Sequence, residues 1–380
     1  MENETFDAVV IGAGMAGATA AAHLASDRRV AMLETEEVAG YHSTGRSAAM
    51  YILNYGPPDA RVLTGLSRGF FEAPPPGFSD HPLLRRRPAL FLARPGETAE
   101  IDRMLKEVPG VRPIGAAELK GIVPALKPGY AAAAAIEEDD FDIDVAALHQ
   151  GFLRSFAASG GVLALRSRAQ RIERRGGVWE VATASGTVFR AKVLVNAAGA
   201  WGDEVARIAG VRPLGLSPCR RTGAIIDPAP FAPEQWPLIS DVGNTWYVRP
   251  EARTRLMVSP ADETPVPPQD VQPEELDIAL AIERMQEALE IPVRRVERSW
   301  AGLRTFTPDH NLAFGWDRDA AGFFWCVGQG GWGIQTSPAA GRLVADMIAG
   351  RDPGAGGRIL AAIDPGRFAA EKVQSAGTGA

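Results

Sequence analysis

Residues 6–17 read FDAVVIGAGMAG, and the organisation of the chain follows from this short stretch. Its opening part, Phe6 to Ile11, is a β-branched run typical of a strand that is buried on both faces. Gly12 ends this run, and residues 16–25 then have the composition of a helix. Since residues 29–34 indicate a second strand, the chain is predicted to open with a β-α-β unit.

The turn after the first predicted strand has the spacing Gly-x-Gly-x-x-Gly. Gly12 permits a tight turn, Gly14 lets the backbone approach a pyrophosphate, and Gly17 lets helix and strand pack closely. The phosphates would lie against free N–H groups at the start of the helix. Glu34 can accept hydrogen bonds from ribose hydroxyls, and the following Thr35-Glu36-Glu37 supplies no arginine for NADP. A dinucleotide site is therefore predicted at Gly12, Ala13, Gly14, Met15, Ala16, Gly17 and Glu34.

Two further segments favour FAD over NAD. Residues 41–48 read YHSTGRSA, and a helix start rich in Ser, Thr and Arg suits the extra phosphate and ribityl surface of FAD. The alternative is an ordinary helix cap at Ser43 and Thr44. Residues 328–337 read GQGGWGIQTS and lead into the last helix, whose dipole could face the pyrimidine end of an isoalloxazine. The alternative for this loop is a plain turn.

The remaining pattern predicts further helices and strands. Asp144 is predicted to cap a helix that ends at Gly160-Gly161. Strands are expected at 162–165, 178–183 and 188–196, with hairpin turns at 176–177 and 185–186. Later expectations are short antiparallel strands at 212–273, a helix at 277–289, a last helix from Ser337-Pro338 to Gly350, and a frayed or surface-bound tail at 365–380.

The composition excludes several classes of protein. The 380 residues are 46% apolar and 23% charged, which is typical of a soluble globular protein of two or three domains. A net charge of −6 argues against a nucleic-acid binder, and Arg85-Arg86-Arg87 is interpreted as a solvated loop. Cys219 and Cys326 have neither a disulfide framework nor metal-ligand spacing, so no metal site is predicted. The acidic start and the lack of a long apolar run predict a cytoplasmic protein without a transmembrane segment.

Taken together, five motifs resemble the D-amino-acid oxidase family of FAD enzymes, which includes glycine and sarcosine oxidases. They are the β-α-β unit, STGRS at 43–47, VNAAGAW at 195–201, WAGLR at 300–304 and the last glycine loop. The resemblance extends from about Phe6 to about Gly350, and the chain looks most like bacterial D-arginine dehydrogenase. It implies an α/β (α+β) fold with a Rossmann-like FAD-binding domain (1–85, 140–215, 305–365) and a mixed-sheet substrate-binding domain (86–139, 216–304).

The resemblance also implies which residues form the site. Arg221 and Arg304 match the arginines that hold a substrate carboxylate, a task that suits a bidentate guanidinium. Arg220 is expected to be structural, and Cys326 is expected to lie in the core, so that FAD is bound non-covalently. The other matches are the substrate-side tyrosines Tyr247 and Tyr55, and Gly331 and Gln335 beside the amine and the flavin. Further flavin contacts are expected from Ser43, Thr44, Arg46, Ser47, Ala198, Gly199, Trp201, Gly330, Gly333 and Ile334.

At two positions the chain departs from D-arginine dehydrogenase. Ala89 stands where that enzyme has a glutamate for the guanidinium, and Met50 stands where it has a histidine. Without the acid, the charge pair that selects a cationic side chain is lost. The expected pocket of Met50, Tyr55, Ala89, Leu238 and Tyr247 is apolar, so neutral or hydrophobic D-amino acids are expected to be preferred over D-arginine.

The activity implied by the resemblance is oxidation of an amine next to a carboxylate. The α-hydrogen passes as a hydride to flavin N5, and the imine hydrolyses to a 2-oxo acid and ammonia. A neutral amine supplies the push, so no catalytic histidine is expected. The alternatives are a secondary (N-methyl) amino acid or a 2-hydroxy acid as substrate, and a non-catalytic flavin-binding subunit. The expected partners are an amino-acid substrate and an electron acceptor, either a quinone or oxygen.

Overall fold

The structure, a computed structural model, describes residues 5–368 of the chain. Its α-helices are α1 (Met15–Leu24), α2 (Pro58–Glu72), α3 (Thr98–Glu107), α4 (Ala116–Ile122), α5 (Val145–Ala158), α6 (Gly202–Ile208), α7 (Glu275–Ala288), α8 (Gly333–Ala349) and α9 (Leu360–Ile363). Its strands are β1 (Thr5–Ile11), β2 (Val30–Leu33), β3 (Met50–Tyr51), β4 (Leu84–Arg86), β5 (Ala89–Ala93), β6 (Val111–Pro113), β7 (Ala133–Glu137), β8 (Phe141–Ile143), β9 (Val162–Ala164), β10 (Ala169–Arg175), β11 (Val178–Thr183), β12 (Val188–Asn196), β13 (Ser217–Ile226), β14 (Leu238–Asp241), β15 (Tyr247–Glu251), β16 (Arg255–Ser259), β17 (Thr264–Pro265), β18 (Val296–Phe306), β19 (Ala313–Trp316) and β20 (Phe323–Val327). Residues 369–380 of the predicted tail lie outside the described residues.

The β-α-β unit predicted at the start of the chain is confirmed and forms the centre of an eight-stranded sheet. β1 pairs in parallel with β2 and β12, and β9 pairs in parallel with β2. The predicted strands β11 and β12 are joined by a hairpin turn, and β10, which was not predicted, precedes them. The pair β19 and β20 completes the sheet beside β12. α1 is buried along most of its length against α5 and α8.

A second sheet of nine strands is mixed, as expected. β5 and β14 pair in parallel, whereas its other neighbouring strands are antiparallel. One face packs on α7 in an apolar core that includes Leu90, Ile239 and Leu256. Because successive residues of a strand alternate between faces, Arg221 and Tyr247 point to the opposite face. That face is turned toward the cavity described below.

Both sheets use the segments that the sequence analysis assigned to two domains, and the division into domains stays a prediction. β3, β8 and β4 form a small third sheet.

No helix within residues 5–368 is both long and apolar enough to cross a membrane. Over the same residues, no group of three or more His, Cys, Asp or Glu side chains is arranged to hold a metal ion.

The last helix begins earlier than predicted. α8 starts at Gly333 instead of Ser337, and Pro338 lies inside it. The carbonyl of Ile334 would accept the N–H that proline lacks, and it accepts the Ser337 hydroxyl instead at 2.8 Å. The free N–H groups at the start of α8 therefore belong to the glycine loop itself. The helix ends as predicted at Gly350, whose φ is 67°.

Two expectations about charged residues have different outcomes. Asp144 caps α5 as predicted, because its carboxylate accepts the Ala147 N–H at 2.8 Å. The arginine run is not a solvated loop throughout, since Arg85 and Arg86 lie in β4 and Arg87 is 4% exposed. The Arg87 guanidinium donates to Asp142 of β8 at 2.9 Å, a partner that the sheet brings close.

The approach of α1 to β1 yields the first prediction. A Cβ at position 17 would lie 1.9 Å from the Gly12 carbonyl oxygen, so Gly17→Ala must push the helix away from the strand. We expect a loss of at least about 2 kcal/mol of unfolding free energy, measured by urea denaturation. The control Gly69→Ala, in α2 with open space around a Cβ, should be neutral or stabilising by up to about 1 kcal/mol. Equal stability of the two variants would contradict the close approach.

Candidate active site

A cavity of about 420 Å³ lies between the two large sheets. The predicted site residues that line it are Gly12, Gly14, Met15, Ala16, Glu34, Ser43, Thr44, Arg46, Ser47, Ala198, Gly199, Trp201, Arg221, Tyr247, Arg304, Gly330, Gly331, Gly333 and Ile334. The predicted site residues outside its lining are Ala13, Gly17, Met50, Tyr55, Ala89, Leu238 and Gln335. Residues from 11 to 341 thus meet around one space, with the glycine turn in one region and the two arginines in another.

The glycine turn forms a cradle with free backbone donors. Gly12 has a φ of 101°, and a Cβ there would lie 2.5 Å from the Ala197 carbonyl oxygen. No side chain of the turn caps α1 at Gly14. Thr44 instead accepts the Met15 N–H at 2.9 Å, so it caps a helix distant in sequence rather than its own segment. This cradle fits the phosphates of a dinucleotide.

Glu34 lies beside the cradle at the end of β2. One carboxylate oxygen accepts the Ala13 N–H at 2.9 Å, and the other accepts the Glu36 N–H at 3.1 Å. These bonds fix the carboxylate at the cavity wall, where it retains lone pairs for further donors. That position suits hydroxyl groups of an adenosine ribose.

Residues 40–47 tie the two sheets together across the cavity. Ser43 donates to the Leu303 carbonyl at 2.7 Å, and Arg46 donates to the Ala301 carbonyl at 3.1 Å. In return, the Trp300 indole donates to the Arg46 carbonyl at 3.0 Å. The segment therefore joins the dinucleotide cradle to β18, the strand that carries Arg304.

Two guanidinium groups, those of the buried Arg221 and the half-buried Arg304, mark the other end of the cavity. Arg304 donates to the Tyr55 hydroxyl at 2.8 Å, and Arg221 donates to Glu263 at 2.7 Å. Tyr247 is buried near both arginines. Burial alone would raise the pKa of the Tyr247 phenol, but the guanidinium groups outweigh burial and hold this pKa below its usual value. This end of the cavity is electropositive and rich in donors, as a carboxylate requires.

The backbone of the last glycine loop closes on Arg304. A Cβ at Gly331 would lie 2.7 Å from an Arg304 terminal nitrogen, so a side chain there would displace the guanidinium. Gln335 lies behind this contact rather than in the cavity wall. Its amide accepts the Ile52 N–H at 3.1 Å and donates to the Tyr55 carbonyl at 3.3 Å. Gln335 therefore holds the segment that presents Tyr55 to Arg304.

The face of the sheet around Ala89, outside the cavity lining, contains a carboxyl group that was not predicted from the sequence. Ala89 pairs with Leu238 on one side and with Glu137 on the other, so the three side chains share one face of the sheet. Glu137 accepts the Asn54 amide at 2.6 Å, and burial raises its pKa. The sequence feature that could have indicated Glu137 is the acidic run that directly follows the apolar residues of β7. Met50 lies apart from this group, paired with Asp142 in the small sheet.

Both cysteines are buried free thiols. Cys326 belongs to the core, as expected, and it also lines the cavity. Burial raises the pKa of its thiol to about 12, so the thiolate needed for nucleophilic attack is scarce near neutral pH. This environment favours a non-covalently held cofactor.

Comparison with known proteins relates this arrangement to a family. The family model described as DAO, FAD dependent oxidoreductase, matches residues 7–347. The fold is similar to that of glycine oxidase from Geobacillus kaustophilus, with a TM-score of 0.81 and 21% identity over 95% of this chain and 98% of that chain. It is also similar to L-proline dehydrogenase from P. horikoshii, with a TM-score of 0.77 and 21% identity over 96% of this chain and 98% of that chain. At this identity the likeness concerns the fold.

A curated relative matches more locally. FAD-dependent oxidoreductase domain-containing protein 1 of Xenopus laevis is 29% identical over 175 residues, which are 41% of this chain and 34% of that protein. The match thus spans about a third of the relative's length. Both the family model and this relative name FAD, and the cradle, Glu34 and the long cavity fit that cofactor.

The position of Glu34 yields the second prediction. Glu34→Ala removes the carboxylate acceptors at the ribose position, and we expect FAD to dissociate at least about tenfold more readily. The measurement is the ratio of flavin to protein absorbance after extensive dialysis. The neighbouring Glu37→Ala is the control, because Glu37 is exposed and pairs with Arg166. Unchanged flavin content in Glu34→Ala would refute the assignment.

Proposed function

Because the chain belongs to the FAD-dependent oxidoreductase (DAO) family, we propose that it oxidises D-amino acids to imino acids, which hydrolyse to 2-oxo acids and ammonia. The observation that carries this proposal is the pair of guanidinium groups, from the buried Arg221 and the half-buried Arg304, in the same cavity as the dinucleotide cradle. Two arginines side by side bind a carboxylate well, and amino acids carry one next to the carbon that is oxidised.

FAD, when bound, accepts a hydride equivalent from the substrate carbon. The chain's own residues bind and orient the substrate. Arg221 and Arg304 bind the carboxylate and thereby fix the direction of the Cα–H bond. A displacement of that bond by about an ångström lowers the rate of hydride transfer. The Tyr247 and Tyr55 hydroxyls donate to the same carboxylate. The Gly331 carbonyl accepts from the amine, which then keeps its lone pair for expulsion of the hydride.

Ala89 lies outside the cavity lining, and the face of the sheet around it supports a neutral substrate side chain. Glu137 is the acid on that face, and burial raises its pKa, which favours the uncharged form. Asp140 is fully buried, and burial raises its pKa to about 9, which favours its uncharged form at pH 7 as well. A guanidinium placed here would lose its hydration without gaining a full charge partner. The proposed substrates therefore differ from D-arginine, the substrate of D-arginine dehydrogenase.

We also propose that a quinone or oxygen accepts the electrons from the flavin and that the protein is located in the cytoplasm. Secondary amino acids and 2-hydroxy acids carry the same carboxylate, so they are the competing substrates. Anaerobic addition of D-leucine or D-methionine to the yellow protein should bleach the flavin, whereas the L-forms should not. Bleaching by an N-methyl amino acid or a 2-hydroxy acid alone would replace the proposed substrate class. No bleaching by any of these compounds would favour the non-catalytic subunit.

The arginine pair yields the third prediction. Arg304→Met and Arg221→Met should each lower kcat/KM by about 10- to 100-fold, because each removes a charge-assisted hydrogen bond to the carboxylate. Arg304→Lys should lower kcat/KM by less than Arg304→Met does, since lysine keeps the charge but not the bidentate geometry. Flavin content and Tm identify variants that fail to fold. The exposed Arg103→Met is the control, and a variant with the wild-type kcat/KM would remove that arginine from the carboxylate site.

The environment of Ala89 yields the fourth prediction. D-leucine, D-methionine and D-phenylalanine should exceed D-arginine in kcat/KM, because apolar burial stabilises them by roughly 25 cal/mol per Å² without the desolvation cost of a cation. Ala89→Glu should shift the preference toward D-arginine and D-lysine. Steady-state kinetics over a panel of D-amino acids measures this.

Glu137→Gln tests the same prediction without adding volume to the core. It should change the ratio of D-leucine to D-arginine activity by less than about twofold, because Glu137 lies outside the cavity lining and burial raises its pKa, which favours the uncharged form. A wild-type enzyme that strongly prefers D-arginine, and loses that preference in Glu137→Gln, would contradict the neutral-substrate proposal.

A further inference from the structure

Glu263 contacts Arg221 in a way that the carboxylate-binding role of Arg221 does not require. Its carboxylate accepts from one terminal nitrogen of Arg221 at 2.7 Å, while the Arg221 side chain is only 9% exposed. The Nε donor of Arg221 is buried without a partner. One edge of the guanidinium is therefore held by the protein, and an unsatisfied donor remains for a ligand.

The two chain neighbours of Glu263 fix it beside Arg221, one through its side chain and the other through strand pairing. The residue before it, Asp262, accepts the Thr222 N–H at 2.7 Å and the Thr222 hydroxyl at 3.0 Å. The residue after it, Thr264, pairs with Arg220 in the β17–β13 ladder. Since positions 262 and 264 are attached to positions 222 and 220, residue 263 is held opposite residue 221. The contact is thus set by the sheet rather than by a chance meeting of two flexible side chains.

With Glu263 included, Arg221 and Arg304 leave one net positive charge at this end of the cavity, and one substrate carboxylate neutralises it. Arg221 and Arg304 bring two positive charges, and Arg304 has no ion pair with a carboxylate among residues 5–368. Glu263 offsets one of these charges and also acts electrostatically on Arg304. A substrate carboxylate offsets the other charge, which leaves the amine in surroundings without excess positive charge.

We propose that Glu263 is a positioning residue that holds the Arg221 guanidinium in the orientation needed for hydride transfer, an inference that rests on the proposed function. It binds one terminal nitrogen of Arg221, so that the unpaired Nε donor meets the substrate carboxylate in a single orientation. Because Glu263 is an anion close to that carboxylate, it weakens simple carboxylate binding while it improves the geometry of the bound substrate. The two effects are separable by experiment.

The experiment compares the flavin-loaded wild type with Glu263→Gln and Glu263→Asp. The control is Glu251→Gln, since Glu251 is also 42% exposed and pairs with a mostly buried arginine, Arg249, outside the cavity lining. Two quantities are measured: kcat and KM for the best amino acid, and the Kd of acetate, an amine-free carboxylate, from the change in flavin absorbance. Flavin content and Tm are checked for each variant.

Glu263→Gln should lower kcat at least tenfold and bind acetate at least threefold more tightly. Glu263→Asp keeps the charge but shortens the reach, so it should lower kcat while leaving acetate affinity near wild type. Glu251→Gln should change neither quantity by more than twofold. A kcat within twofold of wild type in Glu263→Gln would overturn the positioning role, because Glu263 would then only compete with the substrate.

The acetate measurement separates this inference from the proposed function. If no amino acid bleaches the wild-type flavin, the proposed function fails, but the acetate affinities still report on Arg221. Tighter acetate binding in Glu263→Gln would then support control of Arg221 by Glu263. Unchanged acetate binding would overturn it.

Discussion

The antiparallel pairing of β13 with β18 places the buried Arg221 and the half-buried Arg304 on the same face of the nine-stranded sheet. Arg304 pairs with Cys219, and Cys219 lies two residues from Arg221, so the alternation of the strand fixes this arrangement. Burying two like charges costs several kcal/mol per ion unless donors and anions compensate it. Glu263 supplies an anion to Arg221, and the two tyrosine hydroxyls supply polar groups. The absence of a side chain at Gly331 leaves room for the Arg304 guanidinium.

Arg220 illustrates the same constraint from the opposite face of β13. As the sequence analysis expected, it is structural, since it forms ion pairs with Glu274 and with Asp277 of α7. Arg220 and Arg221 are adjacent in the chain, and the two-residue period of the strand directs one guanidinium to the helix and the other to the cavity. A shift of the register by one residue would exchange their roles.

The cavity exists because residues 40–47 connect the two sheets. Ser43 and Arg46 donate to backbone carbonyls of β18, and Trp300 donates back to Arg46. Thr44 reaches the other way and caps α1 at the glycine cradle. A single short segment therefore joins the region that binds the cofactor to the strand that carries Arg304, so the two binding regions are held in one rigid geometry by hydrogen bonds of 2.7 to 3.1 Å.

The sequence by itself determined the β-α-β unit, the Gly12–Gly17 turn, the cap at Asp144 and the end of α8 at Gly350, because each depends on backbone conformation and on residues close in the chain. Most of the site residues that the glycine motif and the resemblance to a family predicted do line the cavity. Only the tertiary structure decided that Glu263 holds Arg221, that Glu137 lies beside Ala89, that Gln335 supports Tyr55 from behind and that Arg87 is buried. These contacts join residues some 40 to 280 positions apart. They follow from sheet register and strand order, which no local pattern of residues encodes.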